Sequence, residues 1–208
     1  MFFMLKKILL GILILILAIA GYYVYMFTRK TGGPDGPKPP PITIKHHSDQ
    51  FNNSVTATLN AYFDMKAAFV EADSAKAKEA CRRMLLLADS IPLAELKKDT
   101  AGIFLGDSLI LENIKSNAKS LLLQTDITEM RKDFGVVNEN LYPFLKGINY
   151  SGPILYWQNC PMAFGEDKAA SWISKTEEVI NPYLGRFHPE FKNSMLHCGM
   201  VLDSIKTH

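Results

Sequence analysis

Two short segments near the C-terminus, Cys160-Pro161-Met162 and Met195-Leu196-His197-Cys198, hold two of the chain's 3 cysteines, with methionine near each and histidine beside one. Thiolate and thioether are soft donors that select Cu(I). The candidate metal donors are therefore Cys160, Met162, Met195, His197 and Cys198, with the two thiolates as the pair and His197 completing or tuning the site. The same pair has a second chemistry. In an oxidising compartment Cys160 and Cys198 form a disulfide, which in the chain-entropy model stabilises by roughly 3–4 kcal/mol, and Met162 and Met195 then only pack. Both readings stand at this point, and reduction would interconvert them.

An enzyme is the weakest class. There is no C-x-x-C pair and no thioredoxin-like alternation of strands and helices. Nor is there a G-x-S-x-G elbow, an H-E-x-x-H helix, a Walker loop or a dinucleotide glycine motif. Asp126, Glu129, Asp133 and Glu139 read as one solvated helix face. Cys81, at helical spacing among apolar residues, reads as structural, because a buried free cysteine behaves as a small hydrophobe. His46-His47, just past the linker, offers a pair for a divalent metal but reads more simply as soluble histidines in a mobile segment, and His208 carries no signal. No catalytic residue is expected.

The elements that must position the sulfurs begin far away. Lys6 and Lys7 precede an apolar run from Ile8 to Phe27, about the 20 residues a membrane-spanning helix needs. Ala18-Ile19-Ala20 competes as a signal-peptidase site, but Tyr22, Tyr23 and Tyr25 continue the run like an interfacial aromatic belt. Residues 1–30 are thus expected to be a membrane anchor or signal segment. Residues 31–41, rich in glycine and proline, read as a linker, flexible and then semi-rigid. Residues 42–208 form one domain. The expected setting is the inner membrane, crossed once, with this domain facing the periplasm. A formal net charge of +2 without a basic stripe gives no footprint for nucleic acid.

Within the domain, apolar residues recur at threes and fours. Ser48 or Asp49 caps a helix carrying Phe51, Val55, Leu59, Tyr62, Phe63 and Phe69. A second helix runs from about Ala75 to Asp89. Pro92 opens a third region, with a break expected near Gly102 and Gly106. Thr125 or Asp126 caps the fourth, which carries Ile127, Met130, Phe134, Val137, Leu141 and Leu145. Four one-sided helices predict an all-α fold: an antiparallel four-helix bundle, preceded by one transmembrane helix and followed by an irregular Cys/Met clasp. In that clasp the pattern suggests an extended approach to Cys160, a short helix over about Lys168–Val179, a turn at Asn181-Pro182-Tyr183-Leu184-Gly185 and a short tail.

Taken in order, Cys160-Pro161-Met162-Ala163, Trp172-Ile173-Ser174, Asn181-Pro182-Tyr183-Leu184-Gly185 and Met195-Leu196-His197-Cys198-Gly199 resemble the C-terminal signature of domain-of-unknown-function family 3347. Ala67, Ala68, Val70, Ala72 and Asp73 are similar to the end of that family's first helix, so the resemblance runs from about Phe51 to Val201. It implies a metal context, since family members resemble extracytoplasmic modules attached to adaptor subunits of heavy-metal efflux systems of the copper and silver type. A component of such a system is the protein partner implied. The chain departs from the pattern at Arg186–Ser194, an extra stretch between Gly185 and Met195 that adds His188 as a further candidate ligand.

Overall fold

The computed structural model describes residues 14–26, 47–98 and 102–206. The chain divides into two units at Pro40/Pro41, each taken by itself. In the first, residues 14–26 are helical (α1) with exposed side chains. The rest of the expected Ile8–Phe27 span and the 31–41 linker lie outside the described residues. Among the described residues no helix is long and apolar enough to cross a membrane. This corrects the expectation of a transmembrane helix and, with it, of a single-pass inner-membrane protein facing the periplasm: the helical stretch described is shorter than the ~20 residues a span requires.

In the second unit the elements run α2 (Asp49–Val70), α3 (Ser74–Asp89), a 3-10 helix (Leu93–Lys98), α4 (Ile103–Leu123), α5 (Ile127–Gly147), β1 (Leu155–Cys160), β2 (Ala170–Ser174) and β3 (Met200–Ile205). The starts of α2, α3 and α5 are written into the sequence as capping side chains. Ser48 Oγ accepts from the Phe51 amide, Asp73 from Lys76, and Asp126 from Thr128 and Glu129, satisfying amides that have no partner within their helices. Gly102 stands at φ +75° before α4, whereas Gly106 lies inside that helix and breaks nothing. His47 is not part of a mobile pair. It is buried, stacks on Phe51 at 4.2 Å and donates from Nε2 to the Ile148 carbonyl at 2.5 Å, fixing the start of α2 to the end of α5. His46 and His208 lie outside the described residues.

The helices bury one stripe each, α2 packing on α3 and α4 on α5. Phe51, Tyr62, Phe69, Phe134 and Phe144 are almost wholly buried. Cys81 belongs to this core: it is fully buried, its thiol donates to the Ala118 carbonyl at 3.3 Å, and burial pushes its pKa up to about 12.

An all-α bundle is not what forms. The C-terminal part folds into a three-stranded antiparallel sheet in the order β2-β1-β3. The short helix expected over Lys168–Val179 is strand β2 followed by bends, and the short tail is strand β3. The physical reason lies in burial. Every residue of β2 is buried, so an aromatic and a β-branched residue, Trp172 and Ile173, sit where a sheet accommodates them rather than on a one-sided helix. The sheet meets the helices through β2 and α5. Tyr62 of α2 caps the outer edge of β2, accepting from the Ile173 amide at 2.9 Å while donating to Asn138 Oδ1 at 2.6 Å. Tyr183 donates to the Ser171 carbonyl at 2.5 Å. That edge is therefore partly covered, while β3 forms the other edge with Met200, Val201 and Leu202 exposed.

Candidate functional site

Cys160 is the last residue of the central strand, opposite Ala170 of β2. Pro161, which lacks an amide hydrogen and favours extended geometry in the residue before it, follows at the strand's end. Its thiol is fully buried. Cys198 arrives from the other direction, on a turn in which its amide donates to the Met195 carbonyl at 3.0 Å. The two sulfurs, 38 positions apart, face each other at 2.6 Å, and both cysteines are free.

What brings Cys198 there is a set of polar and steric fixtures. Asn181, fully buried, donates from Nδ2 to the Cys198 carbonyl at 2.8 Å, and its Oδ1 accepts from the Tyr183 and Leu184 amides at 2.8 and 3.0 Å. Its own amide donates to the Leu196 carbonyl at 2.8 Å. The Asn-Pro-Tyr-Leu-Gly turn thus serves as the bracket for the Cys198 loop. Arg131 of α5 holds the bracket from behind, its Nε donating to the Pro182 carbonyl at 3.1 Å and its Nη2 to Phe69 at 2.8 Å. Gly199, at φ +140°, lets the loop lie against the sheet: a Cβ there would sit 2.7 Å from the Asn159 carbonyl and 2.9 Å from the Trp172 ring. Gln158 gathers the stretch after β2, donating from Nε2 to the carbonyls of Thr176, Glu177 and Glu178 at 3.0, 3.1 and 3.2 Å.

The other candidate donors occupy different surroundings. His197 is exposed, and its Nδ1 donates to the Val179 carbonyl at 2.8 Å, which sets the tautomer and leaves Nε2 with its lone pair. Met162 is 42% exposed just past Cys160. Met195 is half-buried and packs on the core. His188, from the extra Arg186–Ser194 stretch, spends Nδ1 locally: it accepts from the Glu190 and Phe191 amides at 3.3 and 3.2 Å and stacks on Phe191. Among the described residues no three or more His, Cys, Asp or Glu side chains gather as a metal cluster. Of the five predicted donors, the structure's contacts bring together the two cysteines.

Burial and the neighbouring Cys160 thiol push the pKa of Cys198 up to about 12. Cys198 is thus held protonated at neutral pH, the opposite of the activated thiolate that a thiol oxidoreductase uses. Asn181, Gln158 and Gly199 are the positioning residues that sequence reasoning passed over. Asn181 and Gly199 lay inside recognised motifs, but nothing in their spacing told which backbone groups they meet.

The residues with structure upstream of this site have a counterpart among known families. Residues 58–151 match the family described as Protein of unknown function (DUF3347). The match runs from within α2 to just past α5 and ends before Cys160, so the four C-terminal motifs lie beyond it. No curated protein and no solved structure matches the chain. The family match thus covers most of the helical part of the chain, residues 58–151, which is similar to the DUF3347 family.

Proposed function

We propose that the protein is a non-enzymatic module for handling a soft, Cu(I)-type ion, with Cys160 and Cys198 as its two thiolate donors. The observation that carries this is the convergence of two free cysteines, 38 positions apart, at one end of the sheet. Two soft donors suffice for Cu(I), and displacement of the thiol proton by the metal overcomes the raised pKa of Cys198. His197, with Nε2 uncommitted, and the partly exposed Met162 are the supporting donors; Met195 supports the loop by packing. The donor chemistry fits the ion, but the spacing fits only after a movement. With each sulfur ~2.3 Å from an ion, by analogy with zinc thiolates, a separation of 2.6 Å is too close for the wide S–metal–S angle that two-coordinate Cu(I) adopts. Cys198, on the turn, is the side chain placed to swing away. The metal context implied by the resemblance to efflux-associated modules agrees with this reading, and an efflux component is the partner it proposes.

A second reading, a structural staple, is favoured by the same separation. At 2.6 Å the sulfurs lie within a small shift of the ~2.05 Å of a disulfide bond. Titration of the reduced protein with Cu(I), beside a Cys160→Ser, Cys198→Ser variant, separates the two. Stoichiometric binding lost in the variant supports the metal reading. Equal and weak binding by both removes it and leaves the staple.

A further inference from the structure

The two sulfurs differ in one respect that bears on how they change state. Cys160 is fully buried at the end of the central strand, whereas Cys198 is half-buried on a surface turn. A bulky reagent therefore has access to only one of them. The partner lies 2.6 Å behind it, close enough to attack without backbone movement. Asn181 and Gly199 hold the turn in that register.

We propose that Cys198 is the entry site for thiol–disulfide exchange with a small-molecule disulfide of the glutathione class, that Cys160 resolves the adduct, and that the resulting Cys160–Cys198 bond closes the metal site. The inference deepens the soft-metal reading and rests on it for the last of these three parts only. In the first step the Cys198 sulfur, having lost its proton, attacks one sulfur of RSSR. The Cys198–SR mixed disulfide forms and RS⁻ leaves, taking up the proton. Cys160 then loses its proton and attacks the Cys198 sulfur. The Cys160–Cys198 bond forms and a second RS⁻ leaves with that proton. In sum two protein thiols are oxidised, one RSSR is reduced to two RSH, and excess RSH reverses the process.

The test uses the full chain, reduced and freed of reductant, then incubated with oxidised glutathione and analysed by intact mass and peptide mapping. The wild type is expected to lose two hydrogens and keep only Cys81 as a free thiol. Cys160→Ala is expected to retain one glutathionyl group on Cys198, and Cys198→Ala to remain unmodified. An adduct mapped to Cys160, or a wild type that keeps all three thiols while the urea-unfolded chain reacts, overturns the proposal. Should Cys160→Ala fail to fold, acid quenching of the wild-type reaction at early times traps the intermediate, whose adduct must map to Cys198. Cu(I) titration of the reduced and oxidised forms completes the experiment. Binding by the reduced form alone supports the closing of the metal site. Disulfide formation without Cu(I) binding in either form sinks the soft-metal reading and leaves the exchange chemistry standing. Cu(I) binding without exchange does the reverse.

Discussion

The helices α2 to α5 and the sheet with its clasp are held by different means. In the helices the work is apolar: each buries one stripe, and side-chain caps serve mainly to start them. In the clasp, single polar groups fix long irregular segments, as when Asn181 binds three backbone amides or carbonyls and Gln158 gathers three carbonyls. Apolar packing spreads its stabilisation over many contacts, so one substitution removes a part. A bracket built on one amide side chain fails as a unit, because each backbone group it releases is left buried and unpaired. Movement is therefore concentrated in the loop bearing Cys198, which hangs on few fixtures, whereas the strand bearing Cys160 hangs on many.

The junction between the two regions is the strictest place to test this. Asn138 accepts from Tyr62 and donates to the Phe134 carbonyl and Tyr183 hydroxyl, and it is fully buried. Replacement by alanine removes all three bonds and leaves a buried cavity, although Tyr62 and Tyr183 keep their bonds to Ile173 and Ser171, and is expected to cost about 4 kcal/mol. Urea unfolding followed by far-ultraviolet dichroism and tryptophan fluorescence checks it. Both tryptophans, Trp157 and Trp172, lie in the strands. If the regions are coupled only here, the fluorescence transition moves to lower urea than the dichroism transition. Coincident curves would show that the two regions unfold as one.

The next effect belongs to the clasp alone. Closing a loop between positions 38 apart stabilises by about 4 kcal/mol in the chain-entropy model, less any strain. Oxidised protein is therefore expected to unfold at higher urea than reduced protein by up to that amount, with the shift abolished in Cys198→Ala. A smaller third effect is Gly199→Ala, about 2 kcal/mol, because its Cβ collides with the Asn159 carbonyl at a positive φ. It is expected to slow disulfide formation as well, since the turn that presents Cys198 must shift. A variant that is destabilised but oxidises at the wild-type rate would separate packing from presentation.

These contrasts also explain what could be read from the sequence. The helices were legible because a 3.6-residue stripe recurs over many turns and Ser48, Asp73 and Asp126 mark where α2, α3 and α5 begin. The strands were not. Each is five or six residues long, β2 is buried on both faces and so does not alternate, and β3 carries an irregularity opposite Trp157/Gln158 that interrupts its period. The cysteines and their motifs were visible as donor types, and their meeting was anticipated as a fold-back of the segment between them. Its means was not, because the role of Asn181 depends on which carbonyl lies across the fold. The membrane expectation was overturned because, among the described residues, no helix is long and apolar enough to cross a membrane.

The smallest effect sharpens the same comparison from the side of charge. Asp203 on β3 accepts from Tyr142 of α5 and lies 3.1 Å from Lys146 Nζ, the ionic link between sheet and helices. Hydrogen bonds from Tyr142 and Lys146 hold its pKa down at about 2. A carboxylate depressed in the folded state contributes stability that is present above its unfolded pKa of ~3.9 and is lost as pH falls through the folded value. The link should therefore weaken between about pH 4 and pH 2, and Asp203→Asn should flatten that part of the stability profile. Because the side chain is 46% exposed, solvent screens the pair and the expected change is under about 1 kcal/mol. A larger loss in the asparagine variant would mean that the Tyr142 bond, and the stacking of Tyr142 on Trp157 at 4.5 Å, holds β3 to the helices. In that case the sheet would depend on one polar contact at its β3 edge, as the Cys198 loop depends on Asn181.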